Sequence, residues 1–250
     1  MNRLQLIAVY NDTKKKCING KYSKLKINDS IKYTKQDLTS MEMKKKYDKT
    51  IIEVINEDTL VACELLVKED KQICALNMGS CFNPGGGVKK GCTAQEEELF
   101  RRTNYFLTLK DDFYDLIGGD CIYSPTIHVI KNKNYEDIDV PFSVSFIAAA
   151  AVRKPKTIMD KKDRIYANDA DRESMDDTID AIFKVPYINN KTTLVLSALG
   201  CGAYGNPQKE VINIFNKYIK KYDGCFRKIV FAIYSVKDNN YELFKNGLIK

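Results

Sequence analysis

Apolar positions follow no strong rhythm before residue 50 and a clear one after it. In the Lys-rich residues 1–49, Leu4, Ile7 and Ala8 hint at a short helix, so this segment reads as an N-terminal extension packing on a domain of residues 50–250. From there strand-like and helix-like patterns alternate. The runs Ile51 to Ile55, Ile73 to Met78, Cys121 to Ile130, Val144 to Val152, Thr193 to Ala198 and Ile229 to Tyr234 predict strands. Leu60, Cys63, Leu66 and Val67 after Asp58 predict a helix, as do Leu99, Phe100 and Phe106. Met175, Ile179, Ile182 and Phe183 predict another, followed by Val211, Ile214, Phe215 and Tyr218, and by a terminal helix near Tyr241 to Leu248. Strands alternating with helices predict an α/β protein with a mainly parallel sheet covered on both faces.

Composition narrows the class. With 250 residues, 44% hydrophobic and 29% charged, the chain can bury a core, which excludes wholesale disorder and collagen-like structure. No apolar run reaches the roughly 18–20 residues that cross a bilayer, and Leu4 to Tyr10 is short for a leader and lacks a cleavage site, so neither membrane insertion nor secretion is expected. The 8 cysteines are scattered without a Cys-x-x-Cys pair, and His128 is the single histidine, which argues against a metal site. Several cysteines sit inside apolar runs as small hydrophobes, so the expectation is free thiols in a reducing compartment: the cytoplasm, with the nucleus not excluded. The net charge of +7 is spread over lysine clusters at 14–16, 44–46 and 161–162 and offset by an acidic stretch from Asp169 to Asp177. These runs read as solvated surface, and without interleaved aromatics no direct nucleic-acid binding is expected.

Glycine is where chemistry enters. Of 13 glycines, five stand at 79, 85, 86, 87 and 91, and three at 200, 202 and 205. Each group follows a predicted strand and precedes a predicted helix, at the strand ends where open α/β sheets bind ligands. There, backbone N–H groups can approach a phosphate and a helix N-terminus favours negative charge. Gly200-Cys201-Gly202-Ala203-Tyr204-Gly205 matches G-x-G-x-x-G, which raises an NAD(P)-dependent oxidoreductase as one alternative. That motif normally opens the first βαβ unit, and the acidic residue it needs is missing, since Asp223 precedes the next strand and Asp238 lies too far beyond. A diphosphate-sized anion on a backbone loop is what survives. The first loop reads Asn83-Pro84-Gly85-Gly86-Gly87, then seven residues, then Gln95-Glu96-Glu97-Glu98. Thr93 followed three residues later by Glu96 predicts a capping box. At about 100° per residue the three glutamates point in three directions, so one that does not cap can face the glycines. A carboxylate there serves anion binding poorly and proton transfer well.

NPGGG, the seven-residue spacer and QEE together resemble the signature of poly(ADP-ribose) glycohydrolases, especially the bacterial-type branch. LNMGS, SALGCGAYGN and FAIYS resemble further family segments in the same order. The likeness spans roughly residues 50 to 245, with a fainter match over Leu6 to Tyr22. The chain departs from the pattern in the third glutamate Glu98, in Tyr204 where phenylalanine is common, and around residues 131–139. The resemblance implies a macrodomain: a three-layer α/β/α sandwich with a central mixed, mainly parallel sheet and an N-terminal helical extension. It implies hydrolysis of ribose–ribose O-glycosidic bonds, with poly(ADP-ribose) and ADP-ribosylated proteins as substrate, ADP-ribose as product, and neither cofactor nor metal. It makes Glu97 the catalytic acid and Glu96 the residue holding the reacting ribose. Gly85, Gly86 and Gly87 would wrap the ribose and phosphate, with Asn83 and Gln95 beside them. Gly200, Cys201, Gly202, Ala203, Tyr204 and Gly205 would cradle the diphosphate, and Ile233 and Tyr234 lie where macrodomains place adenine. The alternative within the same fold is a non-catalytic domain that only binds ADP-ribose.

Overall fold

The computed structural model describes residues 1–236 and 238–249. Its elements run α1 (Arg3–Asn19), β1 (Ile31–Tyr33), α2 (Lys35–Leu38), β2 (Ile51–Ile55), α3 (Thr59–Leu66), β3 (Ile73–Met78), α4 (Gln95–Arg102), β4 (Cys121–Lys131) and β5 (Asp137–Ala149). They continue with β6 (Thr157–Asp160), β7 (Asp163–Tyr166), α5 (Asp169–Ile188), β8 (Thr193–Leu196), α6 (Gln208–Lys221), β9 (Lys228–Ala232) and α7 (Asn240–Gly247). Seven strands form one sheet in the order β1-β4-β5-β3-β8-β9-β2. From β5 to β2 all neighbours are parallel, while β1 and β4 are antiparallel at one edge. The sheet is therefore mixed and mainly parallel.

Two cores cover its faces because successive side chains of a strand point to opposite sides. In β3, Cys74 and Leu76 join Met175, Ile179 and Phe183 of α5 and Val211 and Phe215 of α6. Ile73 and Ala75 instead join Leu60 and Cys63 of α3, Leu99 and Phe100 of α4, and Tyr10 of α1. The result is a three-layer α/β/α sandwich, as the sequence implies. Because β3 pairs with both β5 and β8, the loops after β3 and β8 leave the same edge of the sheet side by side. That adjacency positions the site.

Several segments differ from the sequence expectation. Helix α1 buries Leu6, Tyr10, Thr13 and Cys17, whereas Leu4 and Ala8 are exposed; a threonine inside the buried stripe conceals the helical rhythm. Thr13 Oγ1 donates to the Arg101 carbonyl at 2.5 Å, which explains its burial and ties α1 to the end of α4. Within residues 1–49, Ile31–Tyr33 also joins the central sheet, against Cys121–Tyr123. The helix expected to reach Phe106 ends at Arg102: Thr103 turns extended, and its hydroxyl donates to the Leu99 carbonyl and accepts from the Tyr105 N–H. Strand β5 starts at Asp137, well before Val144, because its first half runs beside β4 with little burial. The hairpin β6–β7 was not signalled by any apolar alternation.

All eight cysteines are unpaired, and most are buried among apolar side chains. Mass spectrometry after alkylation under denaturing, non-reducing conditions should therefore count eight modified thiols; stable disulfides would contradict this core. No helix among the described residues is long and apolar enough to cross a membrane.

Candidate active site

The loop after β3 folds back onto the start of α4, and its glycines make this approach possible. Gly86 adopts φ +51°, and a Cβ there would lie 2.8 Å from Glu97 Oε1 and 3.1 Å from Glu96 Oε2. Any side chain would push the loop off both carboxylates. The expected Thr93–Glu96 capping box does not form. Helix α4 begins one residue later than the box requires, with Ala94 at its N-cap and no side chain capping it. Glu96 is drawn instead to interior donors: the N–H of Ser80 at 2.8 Å, the N–H of Gly85 at 3.2 Å and Asn77 Nδ2 at 3.2 Å.

Glu97 is held differently. Its Oε1 accepts the Gly87 N–H at 2.8 Å, while its Oε2 is buried and has no partner in the protein. Both residues are almost fully enclosed, at 3% and 6% exposure. The amides of Gly85 and Gly87 thus point at the glutamates rather than at open space. Glu98 accepts from Arg101 and from the Tyr135 hydroxyl, which steadies the end of α4, and it also lines the cavity described below, which Glu96 and Glu97 do not. Gln95 is fully engaged too, accepting from the Met78 N–H and donating to the Leu76 carbonyl and Thr59 Oγ1. It fixes the first turn of α4 against the end of β3. Asn83 lies on the exposed side of the loop, its amide 3.4 Å from the Gly86 carbonyl.

Burial pushes the Glu96 carboxyl from 4.5 up to about 7, against the pull of Ser80, Asn77 and Gly85, and neighbouring Glu97 adds to the rise. Between those values the folded chain keeps a proton that the unfolded chain releases. This group's contribution to stability is therefore fully present below about 4.5 and lost as pH rises through about 7, a change of about 3 kcal/mol. Glu96→Gln has no such titration. From pH 5 to pH 8 the melting temperature of wild type should fall by several degrees relative to that variant; a constant gap would contradict the assignment.

The loop after β8 supplies anion-binding groups. The N–H groups of Gly202, Ala203 and Tyr204 make no hydrogen bond within the protein, while Gly205 N–H bonds the Gly202 carbonyl and Cys201 N–H the Ala198 carbonyl. A Cβ on Gly202 would meet nothing within 4 Å. Gly200, Gly202, Ala203 and Tyr204 line a cavity of about 380 Å³ that extends to Gln95 on one side and to Ile233 and Tyr234 on the other. Cys201 does not line it; the thiol is buried toward the Leu199 carbonyl, and burial pushes its pKa up to about 12. A larger hollow of about 550 Å³ lies between β7, α6 and α7. Both hollows carry carboxylates, but only the smaller one adjoins the free N–H groups of Gly202, Ala203 and Tyr204, so we place the site at the two loops.

Groups outside the sequence motifs complete the arrangement. Asn206 is fully buried, donates to the Val152 and Gly200 carbonyls and accepts from the Tyr166 hydroxyl. Arg164 donates to the carbonyls of Gly205 and Asn206, so the β6–β7 hairpin braces the second loop. Asn77 Oδ1 and the hydroxyls of Tyr105 and Tyr114 are buried with no partner in the protein. Burial drives both phenols well above their ordinary range, with the Glu96 charge adding to the rise. Unpaired buried polar atoms are costly, about 1–3 kcal/mol each, and mark a place for water or sugar hydroxyls. A polar asparagine inside the apolar run Ile73 to Met78 is the one sequence signal for this group; Arg164, Tyr166 and Tyr114 carried none.

The family model described as the microbial-type PARG catalytic domain matches residues 8–132, half of the chain. It takes in most of residues 1–49 and the first glycine loop with its glutamates. No curated protein matches in sequence. Among solved structures, poly(ADP-ribose) glycohydrolase from Thermomonospora curvata superimposes with a TM-score of 0.81 at 20% identity, over 98% of this chain and 99% of that one. The same enzyme bound to the inhibitor ADP-HPD gives 0.80 at 22%, over 97% and 98%. The Deinococcus radiodurans enzyme in complex with ADP-ribose gives 0.74 at 22%, over 87% and 93%. At these identities the superpositions establish the shared fold, and the family match establishes descent. The chain belongs to the microbial-type poly(ADP-ribose) glycohydrolase (PARG) family.

Proposed function

We propose that Glu97 is the general acid and base of this glycohydrolase, that Glu96 holds the reacting ribose, and that the loop of residues 200–205 binds the diphosphate. The activity follows from the family: a glycosidase that hydrolyses ribose–ribose O-glycosidic bonds and releases ADP-ribose. The observation that carries the residue assignment is the Glu97 carboxyl itself. One oxygen is fixed by the Gly87 N–H and the other is buried without a partner. Glu96 accepts from three protein donors, and the remaining acceptor position of its carboxyl is the one that holds a ribose hydroxyl in this reading.

Glycosidic cleavage needs a proton on the leaving oxygen and stabilisation of an oxocarbenium-like centre. Glu97 gives its proton to that oxygen as the C–O bond breaks, and the bonding pair leaves with the oxygen. The resulting carboxylate takes a proton from water as the water oxygen adds to the ribose carbon. One water is consumed and Glu97 ends protonated again, so one carboxyl serves both steps. The diphosphate, held by the amides of Gly202, Ala203 and Tyr204, lies near enough to favour the developing positive charge.

Poly(ADP-ribose) and ADP-ribosylated proteins are the substrates of this reading, ADP-ribose the product, and the free thiols support a cytoplasmic setting. Residues 50–250 carry both loops, and residues 1–49 pack on them and complete the sheet with its edge strand β1. The test is incubation of the purified chain with ADP-ribose polymer followed by chromatography of the products. ADP-ribose should accumulate; polymer left intact at high enzyme concentration would favour a module that only binds.

A further inference from the structure

The bond hydrolysed joins the ribose held at Glu97 to a ribose of the next ADP-ribose unit, so the leaving group is an adenosine hydroxyl. It carries a base and a diphosphate of its own, and these must rest outside the cavity, next to the first glycine loop. We propose that Phe82 and Arg153 receive them: the adenine of the leaving unit stacks on Phe82, and its diphosphate faces Arg153. This rests on the glycohydrolase reading above.

Phe82 stands three residues before Gly85 and is 56% exposed, outside all of the hydrophobic cores. Its backbone is nevertheless held. The N–H groups of Phe82 and Asn83 reach Ser80 Oγ, and the Cys81 carbonyl accepts from the Leu116 N–H. A large apolar ring is thus presented to solvent on an anchored backbone. The Arg153 guanidinium lies over that ring, 5.6 Å from its centroid, and among the described residues it pairs with no carboxylate. Arg153 follows the cavity-lining segment at Ala151, and the next residue, Lys154, donates its N–H to the Tyr204 carbonyl. The pair therefore bridges the rim between the glycine loop and the diphosphate loop. The far end of the cavity, at Ile233 and Tyr234, is left for the base of the unit being released. An aromatic face beside an unpaired cation is the combination that binds single nucleotides without reading sequence.

The test compares wild type, Phe82→Ala, Phe82→Trp and Arg153→Ala on two substrates: the polymer, and an ADP-ribose glycoside of a simple alcohol lacking base and phosphate. Phe82→Ala should lower kcat/KM on polymer about tenfold, as expected for losing one stacked base, with simple-glycoside hydrolysis and ADP-ribose affinity unchanged. Phe82→Trp should keep wild-type values. Arg153→Ala should lower the polymer rate at low salt, and high salt should erase its difference from wild type. Equal losses on both substrates would mean that the pair merely straps the loops together, and an unaffected polymer rate would mean that nothing binds there; either overturns the proposal. Wild type inert on both substrates would remove the glycohydrolase reading, and this subsite with it.

Discussion

Glu97→Gln should lower turnover at least about a hundredfold, the low end for losing general acid–base catalysis, while ADP-ribose binding is kept or strengthened. Glutamine has nearly the shape of glutamate, and its amide oxygen can still accept the Gly87 N–H that now reaches Oε1. The amide nitrogen then takes the place of Oε2, the oxygen with no protein partner, so no donor is turned against another donor. What is lost is a proton that can move. Removing an anion from the neighbourhood of a bound diphosphate should if anything help affinity. Glu98→Gln acts through a different contact. It weakens the pairing with Arg101, whose side chain is fully buried, so its effect should appear in stability before it appears in rate.

Gly202→Val should abolish ADP-ribose binding and leave the protein folded. A Cβ at Gly202 meets nothing within 4 Å, whereas at Gly200 it would strike Ala151 and Asn206 at 2.5 Å; Gly205 is as open but sits at φ +71°, where any side chain is strained. Open space at Gly202 is space in the cavity, next to the free N–H groups of residues 202–204. A valine there fills the volume the diphosphate needs. Charge-assisted hydrogen bonds contribute about 1.5–3 kcal/mol each, so losing two costs a hundredfold or more in affinity. Calorimetry with ADP-ribose, alongside a melting curve to show the fold retained, checks this; unchanged affinity would remove the loop from the site.

What the sequence made legible follows from where the constraints are local. The strands Ile51–Ile55 and Ile73–Met78 were delimited residue for residue because turn residues bound short apolar runs. The glycine loops stood out because close approach of backbone to a carboxylate or a ligand excludes side chains, as at Gly86. The partners of Glu96 were not legible in that way. Ser80 and Gly85 act through backbone N–H groups and Asn77 through its side-chain amide, all brought to α4 only by folding, and that competition is also why the capping box at Thr93 does not form. Arg164 and Tyr166 of β7 meet Asn206 only once the β6–β7 hairpin packs under the second loop. Strand β1 is three residues long with a single paired neighbour, too short for any rhythm to show.

Catalysis turns on which carboxyl moves the proton. Single-turnover hydrolysis of polymer by wild type, Glu96→Gln and Glu97→Gln, at enzyme concentrations that saturate binding and with parallel ADP-ribose titrations, separates the roles. We expect Glu97→Gln to lose at least about a hundredfold in rate with affinity intact, and Glu96→Gln to lose affinity as well as rate because the ribose is no longer held. A Glu97→Gln rate within about tenfold of wild type would contradict the assignment and put the acid on another residue.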